Sequence, residues 1–103
     1  MKLYHATDEE NMVWIIQHGL TPSDCGHKHT NQPSLQGGDY CGVYGFANIS
    51  DAIDFASDNN FSPVVFEFDT KYKDVIIDPE YDEGVSYLVL SDEPIQALLV
   101  KKG

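Results

Sequence analysis

Two cysteines and two histidines are the first candidates for chemistry, because thiolate and imidazole groups both bind metal ions. Cys25, His27 and His29 occupy alternate positions, and Cys41 follows in the same stretch of chain. Four such ligands could hold zinc in a tetrahedral site, although their spacing differs from that of the common zinc modules. A Cys–His pair could also supply a nucleophile, but nothing nearby favours an activated thiol. We therefore expect a polar loop and no metal here, with zinc as the alternative.

His5 and Tyr44 are the next candidates, and each lies in a short apolar segment. These segments are Leu3-Tyr4-His5-Ala6-Thr7 and Gly42-Val43-Tyr44-Gly45-Phe46. A histidine can bind or transfer a proton near neutral pH, and a tyrosine ring offers a broad face for packing. Both residues also have a structural explanation. His5 could be a core histidine bonded to the backbone, and Tyr44 could pack within a strand.

The first twenty residues are typical of a strand followed by a helix. Residues 2–5 form a short apolar strand candidate. Thr7 and Glu10 match a capping box, in which the Thr7 hydroxyl accepts a hydrogen bond from the Glu10 amide. A helix is therefore expected from about residue 8 to residue 18, with Gly19 as its C-cap.

The remaining segments predict one more helix and several strands. Residues 21–40 combine proline and glycine with polar residues, which indicates a long loop. Ser50 is expected to cap the second helix, and Ala52, Phe55 and Ala56 form its buried stripe. Strands are expected at residues 42–47, 63–69, 75–77, 87–90 and 95–100. This pattern favours a single α+β domain over residues 1–103.

The charge of the chain limits its partners. Seventeen acidic residues face six lysines, there is no arginine, and the formal net charge is −11. Direct binding to DNA or RNA is therefore not expected, because the phosphates would repel the chain. A basic surface on a nucleic-acid-binding protein is the natural complement, although the charge could also serve only to keep the protein soluble. No apolar segment resembles a signal peptide or membrane span, so a cytoplasmic location is expected.

The acids are concentrated in the second half of the chain, between Glu67 and Glu93. A solvated loop would explain such a cluster, and so would a surface that binds a basic partner. The candidate partner-binding residues are Asp69, Asp74, Asp78, Glu80, Asp82, Glu83, Asp92 and Glu93.

The order of these segments resembles that of the small ADP-ribosyltransferases. Leu3-Tyr4-His5-Ala6-Thr7, a helix, and then His18-Gly19-Leu20-Thr21-Pro22 are similar to the opening of that family. Gly42-Val43-Tyr44-Gly45-Phe46 before Asp51-Ala52-Ile53-Asp54-Phe55-Ala56 resembles its second signature, an aromatic strand followed by a helix. The later strands match the remainder in order, so the resemblance covers nearly the whole chain.

This resemblance implies a small split sheet, antiparallel or mixed, with two helices and an NAD-binding cleft between the halves of the sheet. His5 would hold the nicotinamide ribose and amide, with Ala6 beside it. Tyr44 would stack on the nicotinamide ring, since an aromatic face suits a cationic ring. NAD is accordingly the cofactor expected if the cleft is functional.

The chain departs from the family at the catalytic glutamate. In the family that glutamate begins a late strand, grips a ribose hydroxyl and stabilises the cationic transition state electrostatically. Ser86 takes its position here, and a neutral hydroxyl does not supply the same field. Glu83 is a nearby carboxylate but precedes the strand. Phosphotransferases of the same fold use arginines, of which this chain has none.

Two functions are compatible with these observations. The first is a small acidic inhibitor that blocks a nucleic-acid-handling host complex. In size and charge the chain is similar to the DNA mimics of phages and mobile elements, including anti-restriction and anti-CRISPR proteins. The second is an NAD-dependent mono-ADP-ribosyltransferase that uses His5 and Tyr44, with Glu83 replacing the usual glutamate. We expect the first, with the enzyme as the alternative.

Overall fold

The computed structural model describes residues 1–22, 42–71, 73–77, 81–91 and 93–102. Within these ranges the chain forms six strands and two helices, and the expected α+β class is confirmed. In chain order they are β1 (Lys2–Asp8), α1 (Met12–His18), β2 (Gly42–Phe46), α2 (Ile49–Asp58), β3 (Pro63–Asp69), β4 (Val75–Ile77), β5 (Ser86–Leu90) and β6 (Leu98–Lys102). Most of the expected loop at residues 21–40 lies outside the described residues.

The strands form one antiparallel sheet in the order β4-β5-β2-β1-β3-β6. β1 pairs with β3 along its whole length, and β2 pairs with β5 along its whole length. β1 and β2 are joined through a single residue pair, Tyr4 and Phe46. The described sheet therefore consists of two well-paired halves, β4-β5-β2 and β1-β3-β6, that separate beyond this pair.

Each face of the sheet carries its own apolar core. Alternation along β3 directs Val64, Phe66 and Phe68 to one face, as predicted, and these side chains pack with Leu3 of β1 and Ile15 of α1. On the opposite face, α2 covers the sheet through Ala52 and Ala56, both fully buried. They pack with Ala6, Phe46 and Val65.

The first helix begins later than the sequence predicts. Thr7 belongs to β1, where pairing with β3 keeps its backbone extended, and its hydroxyl accepts from Asn11 Nδ2 at 3.0 Å. The Thr7–Glu10 capping box is therefore wrong. Asp8 takes the capping role, because its carboxylate accepts from the Glu10 amide at 3.4 Å. A 3₁₀ turn (Glu9–Asn11) then leads into α1, and Gly19 at φ 86° ends it as predicted.

The second helix begins before its predicted cap. Asn48 is the N-cap, and its carbonyl accepts from the amides of Asp51 and Ala52 at 3.2 and 3.3 Å. Ser50 consequently lies inside the first turn. Phe55 is only partly buried, and its ring lies against Phe46 and Phe61 with centroid distances of 5.6 and 6.2 Å.

The last strand is displaced from its expected position. β6 covers Leu98–Lys102, whereas the apolar pattern placed a strand at residues 95–100. Ile95 instead exchanges backbone hydrogen bonds of 2.8 and 3.0 Å with Leu20, which follows α1. In the parts of the chain that the structure describes, neither helix has the length and apolar character needed to cross a bilayer.

Candidate functional site

The hydrogen-bond pattern of β1 shows which of its backbone groups face the gap. Thr70 N donates to Met1 O, and Glu9 N donates to Ser62 O, both at 2.9 Å. Antiparallel pairs alternate between bonded and non-bonded positions, so the odd-numbered residues of β1 bond to β3. The even-numbered residues present their N–H and C=O groups to β2.

The same argument applies to β2. Ala47 N donates to Val85 O at 2.9 Å, so residues 43, 45 and 47 are the ones that bond towards β5. Tyr44 and Phe46 therefore present their backbone groups to β1. Phe46 uses them to pair with Tyr4.

Ala6 is the residue left at the gap. In a continuous ladder Ala6 would pair with Tyr44, but among the described residues no strand pairing is formed there. Ala6 is nonetheless buried, with 5% of its surface exposed. Where a strand ladder ends, a buried amide or carbonyl needs another hydrogen-bond partner, because it would otherwise lose its bonds to water at a cost. The gap is therefore a place where a ligand with one donor and one acceptor, or ordered water, would be stabilised.

His5 closes part of this gap. Its Nδ1 lies 2.8 Å from the carbonyl oxygen of Tyr44. A carbonyl oxygen only accepts, so Nδ1 carries the proton and donates it. Burial lowers the pKa of His5 below its ordinary value, although the bond to Tyr44 acts in the opposite direction. At neutral pH the ring is therefore uncharged, and its Nε2 is a hydrogen-bond acceptor.

A cavity of about 260 Å³ adjoins His5 on the α1 side of the sheet. It is lined by His5 and Thr7 of β1, by Asn11, Trp14 and Ile15 at the first helix, and by Leu20 and Thr21. Trp14 is the single tryptophan of the chain, and 58% of its surface is exposed. Its Nε1 donates to Thr21 Oγ1 at 3.3 Å, and its ring lies 4.0 Å from that of His18. The indole is thus held in place as an open aromatic wall.

Tyr44 and His5 reach the gap from opposite faces of the sheet. Gly45 faces Leu3 and Phe68, since a Cβ atom on Gly45 would lie 2.8 and 2.7 Å from their side chains. Alternation along β2 then places the Tyr44 side chain on the other face, together with Phe46. A ligand in the gap would have the His5 ring on one side and Tyr44 on the other.

Ser86 is a buried residue of the β5 strand. It pairs with Phe46, and only 1% of its surface is exposed. Glu83 lies in the turn before β5, where Val85 N donates to Asp82 O at 3.1 Å and Gly84 has a φ of 89°. Glu83 is exposed there. The structure therefore places a buried hydroxyl at the position predicted to carry the family's carboxylate.

The predicted acidic cluster is divided between three places. Asp69 ends β3, where its Oδ1 lies 3.3 Å from the terminal amine of Met1. Asp74 and Glu93 lie beside the C-terminal end of β5, since Leu90 N donates to Asp74 O and Ser91 Oγ donates to Glu93 O. Asp82 and Glu83 precede its N-terminal end. Because β5 itself spans roughly 13 Å, these acids do not form one compact patch.

Several predicted residues lie outside the described part of the chain. They are Asp78, Glu80 and Asp92 of the acidic set, and Cys25, His27, His29 and Cys41 of the possible zinc set.

Comparisons with protein-family models, with curated protein sequences and with solved structures found no match to this chain. The site is therefore interpreted from its own geometry. Sequence analysis identified His5, Ala6 and Tyr44, but it missed Trp14, Thr7 and Asn11. Their spacing could have indicated them. Asn11 and Trp14 are three residues apart, so in a helix that follows β1 they lie on one face, and that face lines the cavity beside His5.

Proposed function

We propose that this protein binds the nicotinamide end of NAD in the gap between β1 and β2. The observation that carries this proposal is the position of Ala6, which is buried beside the gap and lies beyond the last β1–β2 register pair, Tyr4 and Phe46. A primary carboxamide offers one acceptor and one or two donors, which is the complement of a strand edge. The proposal agrees with the resemblance to ADP-ribosyltransferases, in which this position holds the nicotinamide.

The surroundings of Ala6 suit the rest of such a ligand. The neutral His5 ring offers Nε2 as an acceptor, which suits a ribose hydroxyl. The cavity beyond His5 has polar groups on Thr7, Asn11 and Thr21 and an aromatic wall at Trp14. A base could stack on this wall, because base–aromatic stacking is favourable for any purine or pyrimidine.

We propose binding without the family's transfer chemistry. An ADP-ribosyltransferase stabilises the cationic ribose with a carboxylate at the site. Ser86 has no charge to offer, and it is buried on the face opposite His5. Glu83 is exposed in the preceding turn. If the protein does modify a target, Glu83 is the carboxylate that we expect to replace the usual glutamate.

Calorimetric titration with NAD and with nicotinamide tests this proposal. Ala6→Pro removes the N–H that faces the gap, and its circular dichroism spectrum must match that of the wild-type protein, because β1 is a central strand. We expect NAD to bind, His5→Ala to weaken binding, and Ala6→Pro to abolish binding of both ligands. Lys101→Gln on β6 is the control that should bind normally. Absence of binding at millimolar NAD to the folded wild-type protein would reject the proposal.

A second candidate function rests on the charge of the surface. Between described residues, the carboxylates that form ion pairs are Glu9, Glu67 and Asp69, and the basic partner in each pair is exposed. The other described carboxylates form no ion pair with a described lysine, and the formal net charge of the chain is −11. Such a surface would bind the basic groove of a nucleic-acid-handling protein and act as a DNA mimic.

Two matched double variants test this second candidate. Asp82→Asn with Glu83→Gln removes charge at one end of β5, and Asp74→Asn with Glu93→Gln removes the same charge at the other end. If one end forms the interface, binding to a basic partner should weaken mainly in one variant and should fall steeply with added salt. If the affinity does not change between about 0.05 M and about 0.5 M NaCl, an electrostatic interface is excluded.

A further inference from the structure

A second cavity lies between the end of β3 and the segment that leads into β6. Its volume is about 370 Å³, larger than that of the cavity beside His5, and the two share no lining residue. One wall comes from residues 67–71 together with Lys2 and Lys73, and the other from residues 94–98. We propose that this cavity binds a small organic anion with an apolar body.

The distribution of lysines is the first argument. The chain has six lysines against seventeen acidic residues, yet Lys2, Lys71 and Lys73 all line this one cavity. Half of the basic side chains thus border a single site on a protein of net charge −11. An anion would be repelled by most of the surface, so this region is the favourable place for one to bind.

The two carboxylates in the lining offset only part of this positive charge, because three lysines line the cavity with two carboxylates, one of which contacts the terminal amine. Lys2 Nζ lies 3.3 Å from Glu67 Oε1. Asp69 Oδ1 accepts from the Lys71 amide at 2.9 Å and lies 3.3 Å from the terminal amine. These two contacts also lower the pKa of Asp69, the amide contact more strongly. In the described part of the chain no carboxylate forms an ion pair with Lys71 or Lys73, although Lys71 attracts Asp69 at longer range. These are the two ammonium groups that we expect to contact the ligand.

The apolar lining is the second argument. Phe68 and Ile95 are buried at the cavity, and Pro94, Ala97 and Leu98 complete its apolar surface. Leu98 is 65% exposed, which leaves apolar area available for a ligand to cover. Burial of that area favours a ligand with a ring or a branched chain, whereas the lysines favour a carboxylate or a similar anion. An anion without an apolar body, such as acetate, should bind much more weakly.

Titration of the ¹⁵N-labelled protein with 3-phenylpropionate, followed by amide chemical shifts, tests the proposal. We expect saturable shifts at residues 67–71 and 94–98, and little response to the uncharged analogue 3-phenylpropanamide. Lys71→Gln with Lys73→Gln should weaken phenylpropionate binding by about tenfold. Lys101→Gln with Lys102→Gln is the matched control: it makes the same change in net charge on β6 and should leave the affinity unchanged.

Three outcomes would overturn the proposal. They are the absence of saturable binding, equal weakening by the two lysine pairs, and shifts that cluster around His5 and Trp14 instead. The second of these would assign the effect to net charge, and the third would assign it to the other cavity. Ala6→Pro should not affect phenylpropionate binding, so this proposal stands or fails independently of NAD.

Discussion

His5 links the two halves of the sheet through a side chain where a backbone ladder is missing. Its Nδ1–H donates to the Tyr44 carbonyl oxygen at 2.8 Å. The ring is buried at this point, and burial lowers the pKa of His5 more than the bond to Tyr44 raises it. Protonation of the His5 ring should therefore affect the contact between the two halves of the sheet.

This coupling predicts how stability depends on pH. The unfolded chain takes up a proton at His5 near its ordinary pKa of about 6.5, whereas the folded protein does so only at lower pH. The free energy of unfolding should therefore fall as pH drops below about 6.5, and this loss should end once pH is below the folded pKa. Urea unfolding between pH 8 and 5 measures it. His5→Gln should show a smaller slope, and an equal slope in the two proteins would contradict the assignment.

The stability of a Gly45→Ala variant tests how closely β2 packs against the other half of the sheet. An alanine Cβ there would lie 2.7 Å from Phe68 Cζ and 2.8 Å from Leu3 Cβ, too close for any real contact. We expect Gly45→Ala to lower the free energy of unfolding by about 1–3 kcal/mol.

Gly84→Ala is the comparison for this variant. Its new Cβ would meet nothing closer than Tyr87 Oη at 4.0 Å, but the φ of 89° disfavours any side chain. We expect a loss of about 1 kcal/mol that comes from the backbone alone. If Gly45→Ala cost no more than Gly84→Ala, the two halves would not be packed as closely as described.

At the scale of elements, local patterns predicted more than long-range pairing. The alternation in β3 and the Gly19 cap depend on neighbours in sequence, and both are confirmed. Thr7 and Ile95 were misplaced because each pairs with a distant segment: Thr7 with Val64, and Ile95 with Leu20. Such pairing outweighs a local capping or apolar pattern, and it cannot be derived from the residues nearby.

The gap at Ala6 could not be predicted from the sequence for the same reason. The family resemblance identified Ala6 as a candidate binding residue, but the end of the β1–β2 ladder depends on where these two strands separate. Gly45 packs closely against Leu3 and Phe68 next to that point, and these three residues are remote from one another in sequence. The sequence therefore predicted His5, Ala6 and Tyr44 as candidate binding residues, whereas the end of the strand ladder beside them depends on the fold.

The separation of β1 and β2 predicts a distinctive pattern of amide exchange. Leu3, His5 and Thr7 donate to β3, and Tyr4 is paired with Phe46, so these amides should be protected. The Ala6 amide should exchange at least about tenfold faster than those of its neighbours, after correction for intrinsic rates. Hydrogen exchange followed by NMR measures this, and nicotinamide should slow Ala6 selectively. Protection of Ala6 equal to that of Tyr4 in the free protein would show that no gap exists.

At the scale of the molecule, charge opposes folding. Each described ion pair has an exposed basic partner, and pairs at the surface contribute only about 0–1 kcal/mol each. They cannot offset the repulsion that accompanies a net charge of −11, which is larger in the compact state than in the unfolded chain. Stability should therefore depend on how strongly the solution screens the acidic groups.

Salt should consequently stabilise the protein. Raising NaCl from about 0.01 M to about 0.15 M shortens the screening length from about 30 Å to about 8 Å. We expect the free energy of unfolding in urea to rise by about 1 kcal/mol over this range, because repulsion between unpaired acids is screened more than the few attractive contacts. The rise should be smaller in the variant with Asp82→Asn and Glu83→Gln. A fall in stability with salt would instead mean that attractive pairs dominate, and the acidic surface would then be a stabilising network rather than charge left free for a basic partner.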